Sequence, residues 1–381
     1  MEFALSEDQR LMKDSIDRLL SDRYAFEQRK LMQREPDGWS RRMWRAYAEL
    51  GLLALPFEER FGGLSGGAVE TMIVMEAFGR ALVLEPYFAS VVLGGAILRH
   101  GAGEAHKQAL LPPLASGELV LALAHHEPSA RYNLTHVETN AQYVSDGWRL
   151  DGHKGLVLHG DSADRYIVSA RTRGEVTAPD GIALFLVDAA APGVQRWGYP
   201  TQDGLRAAEV KLDAVHVASA DMLVAPSQGY AVLARAIEEG IAALCAEAVG
   251  CMQALHELTV DYLKQRRQFG VPIGSFQALQ HRAVDMLIAI EQARSMAMYV
   301  TMMLAEHDAG ARTKAVSAAK VQIGRSARFV GEQAIQLHGG IGMTMEYKAG
   351  HYFKRLTMID VLFGDADHHL RKLARAGSLF D

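Results

Sequence analysis

The chain has 381 residues, enough for two or three domains and a sizeable core. Apolar residues make up 49% and charged residues 22%, which excludes a disordered, collagen-like or coiled-coil protein. Forty Lys and Arg against forty-five Asp and Glu give −5 with no long run of either sign, so nucleic acid and anionic membranes are not expected partners.

The N-terminus lacks the basic start, apolar centre and small-residue cleavage site of a secretory signal, so a cytoplasmic protein is expected. Residues 1–121 read as an all-α domain of about five helices. Ser6 three residues before Gln9 forms a capping box, and Leu11, Met12, Ile16, Leu19 and Leu20 follow at helical spacing. Trp44–Leu53, 69–82 and 106–116 continue the pattern, interrupted by a Gly-rich loop from Pro56 to Gly67. The longest uncharged apolar stretch, Phe88–Leu98, is 11 residues with two glycines, too short to span a bilayer.

From residue 122 to 228 the pattern changes to short strands about ten residues apart, the mark of a small barrel or sandwich. Tyr143–Ser145 lead through an Asp146-Gly147 turn into Trp148–Leu150, and Arg165–Ala170 and Ile182–Val187 flank Pro179-Asp180-Gly181. Residues 229–381 revert to helix. Tyr230–Gln268 holds no proline and two glycines and predicts one long helix, and segments 275–307, 311–338 and 365–376 complete an expected four-helix bundle. Cys245 and Cys251, six apart on one helix, are read as core thiols. Adjacent histidines, His125-His126 and His368-His369, point about 100° apart on a helix and give no chelating face, so no metal is expected.

Four segments carry a resemblance. Ala48-Glu-Leu-Gly-Leu52 precedes Pro56 and Phe61-Gly62-Gly63, and Leu111–Glu118 leads to Glu127-Pro128. Lys264-Gln-Arg-Arg-Gln-Phe-Gly270 and Gln336-Leu-His-Gly-Gly-Ile-Gly342 follow in the last block. In this order they resemble the acyl-CoA dehydrogenase family across nearly the whole chain. Within it the sequence is similar to the small subunits of pimeloyl-CoA dehydrogenases. The resemblance implies an α+β multidomain fold, with an N-terminal all-α domain, a middle β domain and a C-terminal four-helix bundle. It also implies FAD as cofactor, an acyl-CoA substrate desaturated at α,β, and an electron-transferring flavoprotein as acceptor.

The resemblance assigns Arg266, Phe269, Gln277, Gln336, Gly339 and Gly340 to the pyrophosphate and adenine side of an FAD held between two subunits, and His126 to the flavin side. Arg266 offers a planar charged fork for phosphate, and the glycines allow close backbone approach. The flavin-facing stretches depart from the family's pattern. Thr-Glu-Pro-Gly-x-Gly-Ser-Asp is His126-Glu127-Pro128-Ser129-Ala130-Arg131-Tyr132-Asn133 here, and Lys-x-Trp-Ile-Thr-Asn-Gly is Lys154-Gly155-Leu156-Val157-Leu158-His159-Gly160. Most members carry the catalytic base where Phe363 stands, and others carry it at about Gly240. Asp365 and Glu239 are the nearest carboxylates and the candidate bases. The stronger reading makes Asp365 a helix N-cap and Glu239 a polar-face residue.

Three readings stay open. The first is the small subunit of an α2β2 enzyme, completing the FAD site of a related large subunit and acting on a medium-chain or dicarboxylyl-CoA such as pimeloyl-CoA. The second is a self-sufficient homotetramer using Asp365 or Glu239. The third is a non-catalytic assembly protein on the same scaffold.

Overall fold

The computed structural model describes residues 5–377. Six helices precede the sheet: α1 (Glu7–Arg23), α2 (Phe26–Met32), α3 (Arg41–Glu49), α4 (Ala68–Ala81), α5 (Gly95–Gly101) and α6 (Glu104–Ala115). A buried π-helical stretch, Phe88–Gly94, runs directly into α5. The eight strands are β1 (Leu121–Ala124), β2 (Asn140–Val144), β3 (Gly147–Leu158), β4 (Arg165–Arg171), β5 (Ile182–Asp188), β6 (Val194–Pro200), β7 (Arg206–Ala218) and β8 (Met222–Val224). Then come α7 (Gly229–Gln265), a two-stranded hairpin of β9 (Arg267–Gln268) and β10 (Val271–Pro272), α8 (Gln277–Met303), α9 (Ala309–His338), α10 (Lys348–Val361) and α11 (Ala366–Arg375). The architecture is α+β, with helices at both ends of the chain and a sheet in the middle.

The chain forms two compact units. One comprises the chain up to Lys30, Ala68–Val83 and everything from Ile241, and the other Leu31–Gly67 and Leu84–Gly240. In the first, α1 begins with the expected capping box: the Ser6 hydroxyl accepts from Gln9 N and the Gln9 side chain accepts from Ser6 N. Helix α4 meets α7 backbone to backbone. A Cβ on Gly79 would run into the carbonyl oxygen of Glu247, and one on Gly250 into that of Glu76. Two glycines one turn from each other's contact let the axes approach closely, and the Glu247 carboxylate then reaches Arg355 of α10 in a buried bidentate pair at 2.6 and 2.7 Å. Helix α9 packs against α8, α10 and α11, which is why its buried positions are mostly small: Ala315, Ser317, Ala319, Gly324, Ser326, Ala327 and Gly331.

In the second unit the strands form one sheet in the order β6-β7-β3-β2-β4-β5-β8, with β1 parallel to β4. Strands β4 and β5 are buried almost throughout, and β5 reads as a continuous apolar run from Ile182 to Val187. The turn between β2 and β3 is one residue earlier than expected. Val144 pairs with Gly147, so Ser145-Asp146 are the loop residues and Ser145 takes the left-handed conformation. The long helix stops at Gln265 because the next residues pair as a hairpin. Helix α10 is not expected from the periodicity, since polar His351 and Arg355 occupy its buried face. Among the described residues no helix is long and apolar enough to cross a membrane.

The α4–α7 contact sets a clear expectation. Gly250→Ala should destabilise the protein by about 1–3 kcal/mol, read as a lower Tm, because rigid backbone faces the added methyl. Gly340→Ala, whose Cβ would meet nothing within 4 Å, should leave Tm unchanged.

Candidate functional site

The two stretches expected to face a flavin are tied together by a buried ion pair. Lys154 of β3 is fully buried and donates to Glu127 at 2.6 Å and to the Ser169 hydroxyl at 3.1 Å. The Glu127 carboxylate also accepts from the Glu138 and Thr139 amides and the Thr139 hydroxyl, at 2.7, 3.0 and 2.7 Å. Burial pushes Lys154 down to about 8 against the pull of Glu127. Burial also raises Glu127, but Lys154, Thr139 and the Glu138 amide outweigh it and hold the carboxyl below its usual range.

Beside the pair, Gly155 N donates to His126 O at 3.0 Å, and β3 bulges at Gly155-Leu156, with Leu156 left-handed. Beside the bulge lies Glu209 of β7, whose carboxylate oxygens would stand 3.3 and 3.4 Å from a Cβ on Gly155 and which engages His153 at 2.7 Å and the Tyr199 hydroxyl at 3.3 Å. The His126 ring is half-buried and its Nδ1 has no hydrogen-bond partner, so a polar ligand atom is what this position lacks.

In the other unit, the remaining predicted residues gather at one end of the bundle. Helix α7 ends with Arg266 N donating to Tyr262 O, and α9 ends with Gly339 N donating to Ile335 O. The rings of Tyr262 and His338 meet at 4.7 Å, which brings the two helix ends together. Arg266, Gln277 and Gln336 are exposed, and their side chains make no hydrogen bond among the described residues. Phe269 and Gly270 both take positive φ at the tip of the β9–β10 hairpin, which leaves the Phe269 ring 90% exposed. Gly339 and Gly340 border a cleft of about 350 Å³ with Glu332, Ile335, Gln336, Met343 and Phe353, the Glu332 carboxylate being paired with Arg328 at 2.8 Å. A Cβ on either glycine would project into open space, so the bare backbone faces a cavity. That cavity, with a free guanidinium and carboxamide at the same end, fits the pyrophosphate half of a dinucleotide.

The candidate bases stand apart from both groups of residues in their chemistry. Asp365 is the N-cap of α11 and accepts the amide of His368 at 2.7 Å. Glu239 is clamped by Arg99 at 2.5 Å, His100 at 2.6 Å and Arg235 at 3.3 Å. Burial raises its pKa, but His100, Arg99 and Arg235 bring it down to about 2, the opposite of what a proton acceptor at neutral pH needs. Phe363 is left-handed and half-exposed, with its carbonyl accepting from His369 Nε2 at 3.1 Å. His369 Nδ1 therefore accepts from Ser317, and burial keeps the ring neutral, at about 3. Buried Lys320 donates to the carbonyls of Ile359, Asp360 and Gly364 at 2.7, 2.6 and 2.9 Å, satisfying all three of its hydrogens. Sequence reasoning missed Lys154, Lys320, His369 and His338 as site-building residues. The available signal was a lysine inside an apolar helical run, Ala-Ala-Lys320-Val. No group of His, Cys, Asp and Glu that could hold a metal occurs among the described residues.

The chain matches three family profiles: the N-terminal domain of acyl-CoA dehydrogenases over residues 6–118, the middle domain over 122–215 and the C-terminal domain over 227–378. It is 31% identical over 336 residues to the probable acyl-CoA dehydrogenase YngJ of Bacillus subtilis (strain 168), covering 87% of each chain. It is also 31% identical over 346 residues to the mitochondrial isovaleryl-CoA dehydrogenase of Solanum tuberosum, covering 89% of this chain and 82% of that one. Among solved structures it resembles a variant of the Tcur3481-Tcur3483 steroid ACAD, with 29% identity, a TM-score of 0.86 and 97% of each chain covered. It resembles the FAD complex of PigA with 26% identity, a TM-score of 0.89 and 98% of each chain covered.

The Glu239 clamp predicts a pH dependence. Because its pKa is depressed, its stabilisation is complete above the unfolded value of about 4.5 and is lost as pH falls toward about 2. Glu239→Gln should cost roughly 3 kcal/mol at pH 7 and flatten the acid limb of the stability curve between those values, measured by urea titration at each pH.

Proposed function

Because the chain belongs to the acyl-CoA dehydrogenase family, FAD-dependent oxidoreductases acting on acyl-CoA thioesters, we propose that it is the small subunit of a two-chain enzyme and completes its partner's FAD site. The observation that carries this reading is the turn at 362–365. It is held in place by Lys320 and His369 and carries Phe363 at the position where the sequence resemblance expects a base, while Asp365 caps a helix and Glu239 sits in an arginine clamp. The other end of the bundle keeps what a nucleotide needs. Arg266 would hold phosphate oxygens, Gln336 a polar edge of the nucleotide, and the bare Gly339-Gly340 backbone would admit the pyrophosphate. Phe269, at 90% exposure, suits a surface that another chain covers. The steroid ACAD relative, whose name joins Tcur3481 and Tcur3483, is in keeping with a two-chain arrangement.

Bound FAD supplies the hydride acceptor for α,β-oxidation of an acyl thioester. This chain's part is binding and orientation: the guanidinium neutralises phosphate charge, the hairpin tip seals the contact, and Lys320 with His369 fixes the 359–364 backbone. The proton acceptor belongs to the related large subunit. A medium-chain or dicarboxylyl-CoA, pimeloyl-CoA among them, is the substrate class this reading adopts from the sequence resemblance, with an electron-transferring flavoprotein as acceptor and the cytoplasm as setting.

Absorbance near roughly 370 and 450 nm tests the reading, with the chain purified alone and with a co-expressed related subunit. Only the complex should be yellow and bleach with acyl-CoA. A yellow lone chain that bleaches would make it self-sufficient, and a complex that stays colourless would make it an assembly protein. Within the complex, Arg266→Gln should weaken FAD binding about 10–100-fold, read by flavin fluorescence, because a charge-assisted contact to phosphate is removed.

A further inference from the structure

The two nucleotide-facing features of the bundle end sit on different helices, and a small aromatic cluster lies between their roots. Tyr262 is one turn before Arg266, whose amide donates to its carbonyl at 2.8 Å. His338 immediately precedes Gly339, which has φ 64° and ψ −144°, a conformation open essentially to glycine alone. The two rings meet at 4.7 Å with their planes 34° apart. Tyr347, which leads into α10, closes the cluster at 5.1 Å from His338 and 6.4 Å from Tyr262.

His338 is the member without freedom to move. It is 3% exposed, and its Nδ1–H donates back to Ala334 O at 2.8 Å, which fixes the tautomer and holds the last turn of α9. Burial lowers its pKa against the carbonyl of Ala334, so the ring is neutral and packs as an aromatic, its buried Nε2 making no hydrogen bond among the described residues. The loop that delivers Tyr347 is fixed in turn, since His351 Nε2 donates to Met345 O at 2.9 Å.

A phosphate clamp works only when its parts stand at the right separation, because a charged fork displaced by an ångström loses its hydrogen-bond geometry. Here the separation of the Arg266 arm from the Gly339-Gly340 backbone is set by rings in contact. The Arg266 carbonyl accepts from Ile273 N within the hairpin and the Ile341 carbonyl from Thr344 N beyond the cradle, so these bonds order each tip by itself, while the Tyr262–His338 contact joins the two roots. We propose that His338, clasped between Tyr262 and Tyr347, is a positioning residue that sets the spacing of the guanidinium arm and the glycine cradle and thereby the affinity of this bundle end for the pyrophosphate half of FAD. This rests on the reading that the bundle end binds FAD.

The test is a fluorescence titration of FAD into the full chain co-expressed with its related subunit, alongside the Tm of each variant. His338→Ala should weaken FAD binding about tenfold, and His338→Phe, which restores the ring and not the hydrogen bond, should stay within about twofold of the unaltered protein. Tyr347→Leu opens the clasp from its half-exposed side without emptying a buried position, so it folds even where His338→Ala does not, and it should weaken binding as well. Variants that lower Tm while FAD affinity stays constant overturn the positioning role. Equal loss in His338→Ala and His338→Phe overturns the ring contact as its cause. An unaltered complex that binds no FAD overturns the reading of the site itself, a result distinct from the other two.

Discussion

An ammonium group removed from water must find oxygens, and in this protein that requirement decides the shape of both site-bearing segments. Lys154 is dry inside the sheet unit and Lys320 is dry inside the bundle unit. An unpaired charge in either place would cost several kcal/mol. The oxygens come from the segments themselves: the Glu127 carboxylate from the 126–133 stretch, and three main-chain carbonyls from the 359–364 turn. Neither segment can relax to another conformation without stranding a charge. The lysines thus convert loops that length alone would leave soft into fixed parts of the scaffold.

Strain is tolerated where such anchoring is strongest. Phe363 and Leu156 are bulky residues at positive φ, a cost of about 1–2 kcal/mol each, and each lies within a segment anchored by a buried lysine. The bulge that bends β3 at Leu156 is what gives Glu209 room beside Gly155. At the bundle end the logic is reversed: Gly339 and Gly340 carry no side chains, and the order there comes from rings packed one residue or one turn away. Rigid backbone with a chosen side chain, and bare backbone with rigid neighbours, are two ways of presenting chemistry to a ligand.

Much of the architecture was legible because it depends on periodicity and punctuation. The Ser6–Gln9 capping box, the proline-free run of α7 and the turn residues around β4 and β5 translate directly into elements. The misses share a cause. Helix α10 buries His351, Tyr352 and Arg355, so its inward face does not look apolar, and Arg355 faces inward only because Glu247 awaits it from α7. The Gly79–Gly250 approach, the Lys320 anchor and the His338 cluster are long-range pairings that no local window contains. The family resemblance is what pointed to Arg266, Phe269, Gln336 and the glycines, whereas the state of the carboxylates required coordinates. Asp365 and Glu239 differ from free bases only in what touches them.

The turn around Phe363 has an evolutionary consequence. Its backbone is held by Lys320, Ser317 and His369, and none of those bonds involves the side chain at 363. A replacement there leaves those main-chain bonds in place. After a gene duplication, one copy can therefore lose its chemistry by a single replacement and still be inherited as a well-folded chain. Such a scaffold makes division of labour between sister subunits an accessible path, since selection on folding and selection on catalysis act on different atoms of the same short turn.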